Sequence, residues 1–395
     1  MAEGLALRDV AVHSQRSRPG RDLGPAPETP LLRRIRDAVI GDARVVEGPY
    51  GERRITYADF TASGRAVGFL EDYIRENVLP YYANTHTEAS ATGLQTQCLR
   101  EDARAIIREA VGGTRDTVVV FCGSGSTGAI DKLIGVLGLR LPSVLDDRHG
   151  LSGSIPRHQR PVVFIGPFEH HSNELAWRES IADVVAIPSD ASGHVDLAEL
   201  ERQLRRYADR PMRIGSFSAA SNVTGIISDT AAISTLLHVH GALALWDYAA
   251  AGPYLDIAMT PGPNDDPLAY KDAVFISPHK FVGGPGTPGI LVARRELFAN
   301  RVPVVPGGGT ISFVSPWQQC YTPAAEHREE GGTPAIVESI RAGLAFQLKQ
   351  AVGTDVIHAR HESFLRRALA SWRQEPRMEI LGSLDVPRLP IVSFR

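Results

Sequence analysis

The chain has 395 residues, 43% of them hydrophobic, which is enough for a large buried core and more than one structural unit. Its 42 basic and 45 acidic residues nearly balance, so no overall field indicates nucleic acid or an anionic membrane as a partner. The three cysteines lie far apart without a CxxC pair, which disfavours a disulfide framework or a structural zinc site and favours a reducing cytoplasm.

The first 45 residues predict a flexible N-terminal arm. Residues 1–30 carry arginines and prolines but no continuous apolar segment, so a secretory signal is not expected. No apolar run reaches the about 18 residues that a membrane-spanning helix needs. We therefore expect a cytoplasmic protein that does not use a membrane.

Beyond the arm, short apolar segments alternate with helical patterns. The predicted strands are Thr117–Cys122, Pro161–Ile165 and Ala242–Trp246. The predicted helices are Gln97–Val111, Thr127–Leu139, Leu197–Tyr207 and Thr230–His240. This alternation is typical of a three-layer α/β/α fold, in which helices cover both faces of a mainly parallel sheet. The segment Ser143–Arg160, rich in Gly, Ser, Pro and Arg, predicts a surface loop between two of these units.

The C-terminal part of the sequence predicts two helices and then a strand. The helices are placed around Glu338–Gly353 and Ile357–Trp372, and the strand at Leu389–Phe394. A lone strand cannot satisfy its own backbone hydrogen bonds. It either completes a sheet with earlier segments or begins another unit.

The segment Ser277–Gly286 is the strongest candidate site. It reads SPHKFVGGPG and lies between the apolar runs Ala273–Ile276 and Gly289–Val292. A lysine at a strand end, flanked by small residues, can approach a carbonyl cofactor such as pyridoxal phosphate (PLP), and desolvation favours its nucleophilic amine. The alternative for Lys280 is a surface lysine in a glycine-rich turn.

Asp247 follows the predicted strand Ala242–Trp246. A carboxylate at a strand end is often a helix N-cap. In a PLP enzyme, an acid here keeps the pyridine nitrogen protonated, which makes the ring an electron sink. Both interpretations stay open for this residue.

The glycine-rich segment Gly123–Gly128 (GSGSTG) directly follows a strand and opens a helix. Backbone amides at a helix start, with serine and threonine hydroxyls, can bind a phosphate group. The segment lacks the GK[ST] of a nucleotide-binding P-loop, and it is also compatible with a tight turn.

Two further motifs follow strands. Glu169–Asn173 (EHHSN) carries two adjacent histidines, which do not share a face and therefore argue against a metal site; a histidine stacked on a planar cofactor is favoured. Ser221–Gly225 (SNVTG) follows the Arg213–Phe217 segment and is either a simple turn or a donor, through Asn222, to a cofactor or substrate oxygen.

In this order, GSGST, EHHSN, SNVTG, WDYAA, SPHK and EGGTP resemble the class V aminotransferase family of fold-type I PLP enzymes. Its cysteine desulfurase and selenocysteine lyase members are the most similar pattern. The resemblance spans about Tyr50 to Ile336. It implies a large PLP-binding domain at residues 46–336, followed at 337–395 by linker helices and the incomplete start of a small C-terminal domain.

The resemblance also implies roles for individual residues. Lys280 carries PLP as a Schiff base, His170 stacks on its ring, and Asp247 pairs with the ring nitrogen. Asn222 lies near the phenolic oxygen and the substrate carboxylate. The phosphate is bound by Ser126, Thr127, Ser277 and His279. Thr333 reaches the phosphate of a neighbouring subunit, which implies a homodimer with shared sites, and residues 82–86 (YANTH) resemble an early active-site loop.

Departures from the family pattern limit what the resemblance implies. Ala250 stands where desulfurases usually have a glutamine that binds the phenolic oxygen. The nucleophilic cysteine and the substrate-binding arginine belong to a region beyond the GTP segment, where this chain has no cysteine. We therefore expect low activity from the 395-residue form.

The sequence predicts a PLP-dependent enzyme that acts on a small amino acid, with a cysteine desulfurase or selenocysteine lyase as the leading subclass and an unidentified sulfur acceptor as a possible partner. Fold-level similarity is a weak guide to reaction. A class V aminotransferase, another PLP lyase or epimerase, and a catalytically impaired scaffold stay open. A Rossmann or P-loop nucleotide-binding protein is disfavoured, because both fingerprints are missing.

Overall fold

A computed structural model describes residues 28–85 and 89–395 of the chain. The strands are β1 (Val45–Gly48), β2 (Gly51–Arg54), β3 (Thr117–Cys122), β4 (Val162–Ile165), β5 (Asp183–Ala186), β6 (Arg213–Ser218), β7 (Leu243–Asp247), β8 (Ala273–Ile276), β9 (Gly289–Arg294), β10 (Ile311–Val314) and β11 (Gln319–Tyr321). The α-helices are α1 (Pro30–Asp37), α2 (Gly68–Tyr73), α3 (Ala91–Ala110), α4 (Gly125–Val136), α5 (Ser143–His149), α6 (His171–Arg178), α7 (Leu197–Arg206), α8 (Thr230–Val239), α9 (Ala325–Arg328), α10 (Ile336–Val352) and α11 (Thr354–Trp372).

Seven of these strands form a central sheet in the order β3-β9-β8-β7-β6-β4-β5. The five strands β8, β7, β6, β4 and β5 are parallel to one another, whereas β9 is antiparallel to both of its neighbours, β8 and β3. The carboxyl ends of β4, β6, β7 and β8 therefore meet at one edge of the sheet, which is where side chains of an α/β enzyme converge.

Helices cover both faces of the sheet. Successive strand residues point to opposite faces, and because the strand residues on both sides are apolar, each face needs a covering layer. Val119 and Phe121 of β3 belong to one apolar cluster, which α3, α7, α8 and α10 complete. Val118 and Val120 belong to the other cluster, which α4 and α6 complete. The predicted three-layer α/β/α fold with a mainly parallel sheet is confirmed.

The predicted surface loop Ser143–Arg160 is wrong in its first part. Ser143–His149 forms α5, which ends at Gly150 in a left-handed conformation (φ +61°). Glycine has no Cβ and adopts this conformation without steric cost, so it is a favourable helix stop. The interior of α5, VLDDRH, contains neither glycine nor proline, and that local signal outweighed the loop-like composition around it.

Part of the predicted N-terminal arm has secondary structure. Thr29 caps α1 by accepting a hydrogen bond from Leu32 N at 3.2 Å, and Ile35 and Val39 pack against an apolar cluster formed by α2, α3 and α10. Residues 1–27 of the arm lie outside the described residues.

The C-terminal helices form as expected, and Ala345 and Phe346 of α10 pack into the apolar cluster on one face of the central sheet. The predicted strand at Leu389–Phe394 is wrong: within this segment only Phe394 makes an isolated bridge, to Ile380. It lies against the 221–226 turn, where Leu389 N donates to Gly225 O at 2.8 Å. A Cβ on Gly225 would stand 2.7 Å from Leu389 O, so glycine permits this close approach. Among the described residues, no helix is long and apolar enough to cross a membrane.

Candidate active site

A cavity of about 300 Å³ lies at the carboxyl ends of β6, β7 and β8, beside the first turns of α4 and α6. Its volume is at the lower end of the range for small-molecule sites. All the predicted site residues except Thr333 line it: Ser126, Thr127, His170, Asn222, Asp247, Ser277, His279 and Lys280. The order of the strands in the sheet brings together motifs that are far apart in sequence.

Lys280 ends a 3-10 turn, Pro278–Lys280, directly after β8. Close backbone packing fixes this turn, because a Cβ on Gly64 would stand 1.9 Å from Phe281 O and one on Gly284 would stand 1.9 Å from Pro278 O. Burial lowers the pKa of the Lys280 amine, and the carboxylates of Asp247 and Asp59 only partly oppose that shift. A larger share of neutral amine makes Lys280 a better nucleophile than an ordinary surface lysine.

Asp247 is the last residue of β7 and is 4% exposed. Its Oδ1 accepts a hydrogen bond from Ala249 N at 2.8 Å, so it caps a turn and not a helix. Burial raises the pKa of the Asp247 carboxyl, and the Ala249 amide and the Lys280 amine work against that rise. An acid held in this way at the bottom of a cavity can share a proton with a basic ligand atom.

The start of α4 is joined to the lysine turn by hydroxyl contacts. Ser126 N donates to Ser277 Oγ at 2.8 Å, and the two hydroxyl oxygens are 3.0 Å apart. Gly125 has φ +54°, and a Cβ there would stand 2.9 Å from Ser277 Oγ and 3.2 Å from His279 Cε1. The glycine therefore leaves space where the helix start, the serine and the histidine converge. Such a helix start suits a phosphate group.

His170 is the N-cap of α6, where its Nδ1 accepts a hydrogen bond from Ser172 N at 3.2 Å. The Ser172 hydroxyl also lies 2.6 Å from Thr127 Oγ1, so α4 and α6 are linked at the mouth of the cavity. The imidazole of His170 is exposed and free to cover a planar ligand. Among the described residues, no three His, Cys, Asp or Glu side chains form a group that could hold a metal ion.

Thr333 lies apart from this cavity and is exposed. Its Oγ1 accepts a hydrogen bond from Asn84 Nδ2 at 3.3 Å, which brings the GTP segment beside the 82–86 loop. His86, the last residue of that loop motif, lies outside the described residues. The contact of Thr333 with a neighbouring subunit stays a prediction.

Two residues that the sequence did not single out belong to the same region. Ser218, the last residue of β6, lines the cavity, and its hydroxyl donates to Glu169 Oε2 at 2.7 Å. Glu169 belongs to the EHHSN motif, in which only a histidine has a predicted role. The signal that could have found Ser218 is its place at a strand end, since Ser218 pairs with Asp247 in the parallel register.

The described residues place no cysteine on the cavity wall. Cys98 and Cys320 are exposed elsewhere, and Cys122 is buried in β3. Burial raises the pKa of the Cys122 thiol to about 12, which keeps it protonated and unreactive at neutral pH. The described chain thus supplies a lysine and an acid to the cavity, but no thiolate.

The chain is similar to known proteins over most of its length. A family model described as aminotransferase class-V matches residues 56–395. A probable cysteine desulfurase of Streptomyces coelicolor is 25% identical over 351 residues, covering 88% of this chain and 77% of its own length. A probable cysteine desulfurase of Staphylococcus aureus is 24% identical over 364 residues, covering 90% and 80%.

Solved structures share the fold. The apo structure of a cysteine desulfurase from Thermococcus onnurineus NA1 has a TM-score of 0.72 and 21% identity, covering 92% of this chain and 82% of its own. A cysteine desulfurase from Escherichia coli has a TM-score of 0.67 and 20% identity, covering 86% and 78%. At this identity the structural likeness establishes the architecture alone.

Proposed function

The chain belongs to the class-V aminotransferase family, and from that premise we propose that it is a PLP-dependent enzyme that acts on a small amino acid as cysteine desulfurases do. The observation that carries the proposal is the meeting of Lys280 and Asp247 in one cavity with the glycine-containing start of α4. These are the three groups that the cofactor requires: an amine for its aldehyde, an acid for its ring nitrogen and a cradle for its phosphate.

The residues present fit the cofactor. The space left at Gly125, beside Ser277 and His279, is a cradle that a Cβ would fill. Burial and the neighbouring Lys280 amine lower the pKa of His279, which favours the neutral imidazole as a hydrogen-bond partner. When bound, PLP supplies an electron sink for bonds at the substrate α-carbon.

The protein's own groups then carry out the proton transfers. Lys280 Nζ would hold the cofactor aldehyde, and once the substrate amine has taken its place, the free, partly desolvated amine would accept the α-proton as a general base. Asp247, whose carboxylate is buried, would keep a proton on the ring nitrogen. His170, at the exposed mouth, would cover the ring and exclude water from that side.

A second candidate is transfer of the amino group to a keto acid. The specific observation in its favour is that no cysteine of the described residues lines the cavity, so the thiolate that accepts sulfur in a persulfide mechanism is missing from this wall. Sulfide and alanine released from cysteine, measured against amino-group transfer to a keto acid, separate the two candidates.

The homodimer with shared sites, the contact of Thr333 with a partner's phosphate, the cytoplasmic location and a sulfur acceptor are parts of the same proposal. Support for the first is the exposed position of Thr333 beside Asn84, away from its own cavity. The molar mass in solution, with and without PLP, tests this part.

The cofactor assignment is tested by the covalent link. Purified protein incubated with PLP should turn yellow, and borohydride should fix the cofactor on Lys280, as read by peptide mass spectrometry. Lys280→Ala should abolish the adduct, while Lys271→Met should keep it, because Lys271 is a partly desolvated lysine outside the cavity with its pKa lowered to about 8. Wild-type protein that takes up no PLP would overturn the proposal.

A further inference from the structure

A carboxyl that the proposed mechanism does not use lies beside the cavity. Glu169 connects β4 to α6, and four donors surround its two oxygens. Oε1 accepts from Ser218 N at 2.9 Å and from Gly166 N at 3.3 Å. Oε2 accepts from Asn173 Nδ2 at 2.6 Å and from Ser218 Oγ at 2.7 Å. The residue as a whole is partly buried, but protein groups enclose its carboxyl.

Three of these four groups can only donate a hydrogen bond to Glu169 and cannot accept one from it. The partners of Oε1 are backbone amides, which only donate. Asn173 is also fixed, because its Oδ1 accepts from Trp177 Nε1 at 3.2 Å and from Ser216 Oγ at 2.6 Å, so its amino group must face Glu169. The Ser218 hydroxyl is the one partner that can either donate or accept.

The protonation state of Glu169 therefore decides the direction of the Ser218 hydroxyl. When Glu169 is ionised, Ser218 Oγ–H donates to it and leaves oxygen lone pairs facing the cavity. When Glu169 is protonated, its O–H has no acceptor among these partners except Ser218 Oγ. The serine then turns its own hydrogen into the cavity, which it lines next to Asp247.

The surroundings place this change near neutral pH. Burial raises the pKa of Glu169 to about 7, the hydrogen bonds from Ser218 and Asn173 oppose the rise, and the charge of Asp247 adds to it. The groups that contact the Glu169 carboxyl are the amides and the hydroxyl described above, and none of them belongs to a lysine or an arginine. The other titratable groups that act on Asp247 are Lys280, from the turn after β8, and His170, the residue next to Glu169.

We propose that Glu169 and Ser218 are a positioning pair that reverses the hydrogen-bond character of the cavity wall beside Asp247 when Glu169 gains or loses its proton. At acidic pH the wall offers the cofactor a donor, and at basic pH an acceptor. The pair touches the cofactor only through Ser218, so Glu169 is a positioning residue. This inference rests on the proposed function, because it takes the cavity to be the PLP site.

The test measures PLP binding and the absorption spectrum of bound PLP between pH 5.5 and 9 in the full chain. Wild-type protein should show a component with a midpoint near pH 7 and a PLP affinity that changes at least about threefold across it. Glu169→Gln and Ser218→Ala should lose that component. Ser218→Thr keeps a hydroxyl and should restore it.

The matched control is Ser228→Ala, which removes a serine hydroxyl that donates to Ser218 O at 2.7 Å but does not contact Glu169. It should keep the wild-type profile. Melting temperatures identify a variant that fails to fold. If Glu169→Gln fails to fold, the comparison of Ser218→Ala with Ser218→Thr still tests the positioning pair. A wild-type pH profile in Ser218→Ala overturns the positioning pair while leaving the PLP assignment intact. Wild-type protein that binds no PLP overturns both.

Discussion

Two of the places where the described residues bury an acid beside a base are built in opposite ways. In the cluster behind β3, Arg100 and Arg104 of α3 enclose the carboxylate of Glu330, which accepts from Arg104 Nη1 at 3.0 Å and Nη2 at 3.1 Å. In the cavity, Asp247 and Lys280 line the same space, and their charges act on one another without a side-chain hydrogen bond between them.

The difference appears in the ionisation of the acids. Burial alone would raise the pKa of Glu330, but Arg104 and Arg100 outweigh it and lower that pKa to about 2. Burial raises the pKa of Asp247 and lowers that of Lys280, because neither has a contacting counter-charge. Buried charges in direct contact are fixed in the charged forms and serve the fold. Buried charges held apart stay available to a ligand, which is the arrangement of a functional site.

We expect the largest effect from a substitution that breaks the ion pairs of Glu330 with Arg100 and Arg104. Glu330→Gln leaves two buried guanidinium groups without their anion, so we expect the free energy of unfolding to fall by about 3–5 kcal/mol. Urea denaturation of the cofactor-free protein measures the loss. Glu362→Gln, which breaks an exposed pair with Arg366, should change the same quantity by about 0.5 kcal/mol or less. Equal effects of the two substitutions would contradict the comparison.

The same cluster predicts a pH dependence of stability. The pKa of Glu330 falls from an ordinary 4.5 to about 2 on folding, so its contribution is present above pH 4.5 and is lost as the pH falls towards 2. That gap corresponds to about 3 kcal/mol. The difference in unfolding free energy between wild type and Glu330→Gln should therefore shrink from pH 5 to pH 2.5; a difference that stays constant would show that Glu330 is not the charged partner.

For a substitution in the cavity, we expect a small change in the free energy of unfolding and a large loss of turnover. Asp247→Asn removes a carboxylate whose charge burial disfavours, so the unfolding free energy should stay within about 1 kcal/mol of wild type. Turnover should fall by about 100-fold, equivalent to about 3 kcal/mol, because an amide cannot hold the ring nitrogen protonated. Steady-state kinetics and urea denaturation of the same preparation measure the two effects.

Asp256→Asn is the control for this substitution. Asp256 is exposed and accepts one hydrogen bond, from Thr354 Oγ1 at 2.9 Å, outside the cavity. It should leave turnover unchanged. An Asp247→Asn enzyme with wild-type turnover would remove Asp247 from the site.

The smallest expected effect concerns the exposed mouth of the cavity. Thr127→Val removes a hydroxyl that contacts Ser172 Oγ but keeps the side-chain shape, so stability should change by about 0.5 kcal/mol or less. PLP affinity should fall about fivefold, equivalent to about 1 kcal/mol, if that hydroxyl binds the phosphate. Equilibrium titration with PLP measures the affinity, and Thr354→Val, far from the cavity, should leave it unchanged.

Most of the elements around the site could be predicted because their signals are local. Thr117–Cys122 is an uninterrupted β-branched run and forms a strand as predicted, and Thr230–His240 differs from its helix by one residue at the C-terminal end. Leu389–Phe394 has an equally good strand pattern but forms no strand, because its neighbours in space are the 221–226 turn and residues 379–381 and not a sheet edge. Strand formation depends on a partner, and the sequence does not name that partner.

The sequence by itself determined the order of motifs, the lysine turn at Lys280 and the α/β alternation that gathers strand ends at one edge. Those features follow from local apolar patterns and from the geometry of parallel strands. Only the tertiary structure decided which buried charges are paired and which are not. Glu330 meets Arg104 across 226 positions of sequence, and Ser218 meets Glu169 across 49. Desolvation and hydrogen bonding depend on every element packed around a group, so the ionisation of these acids becomes defined only when the chain has folded.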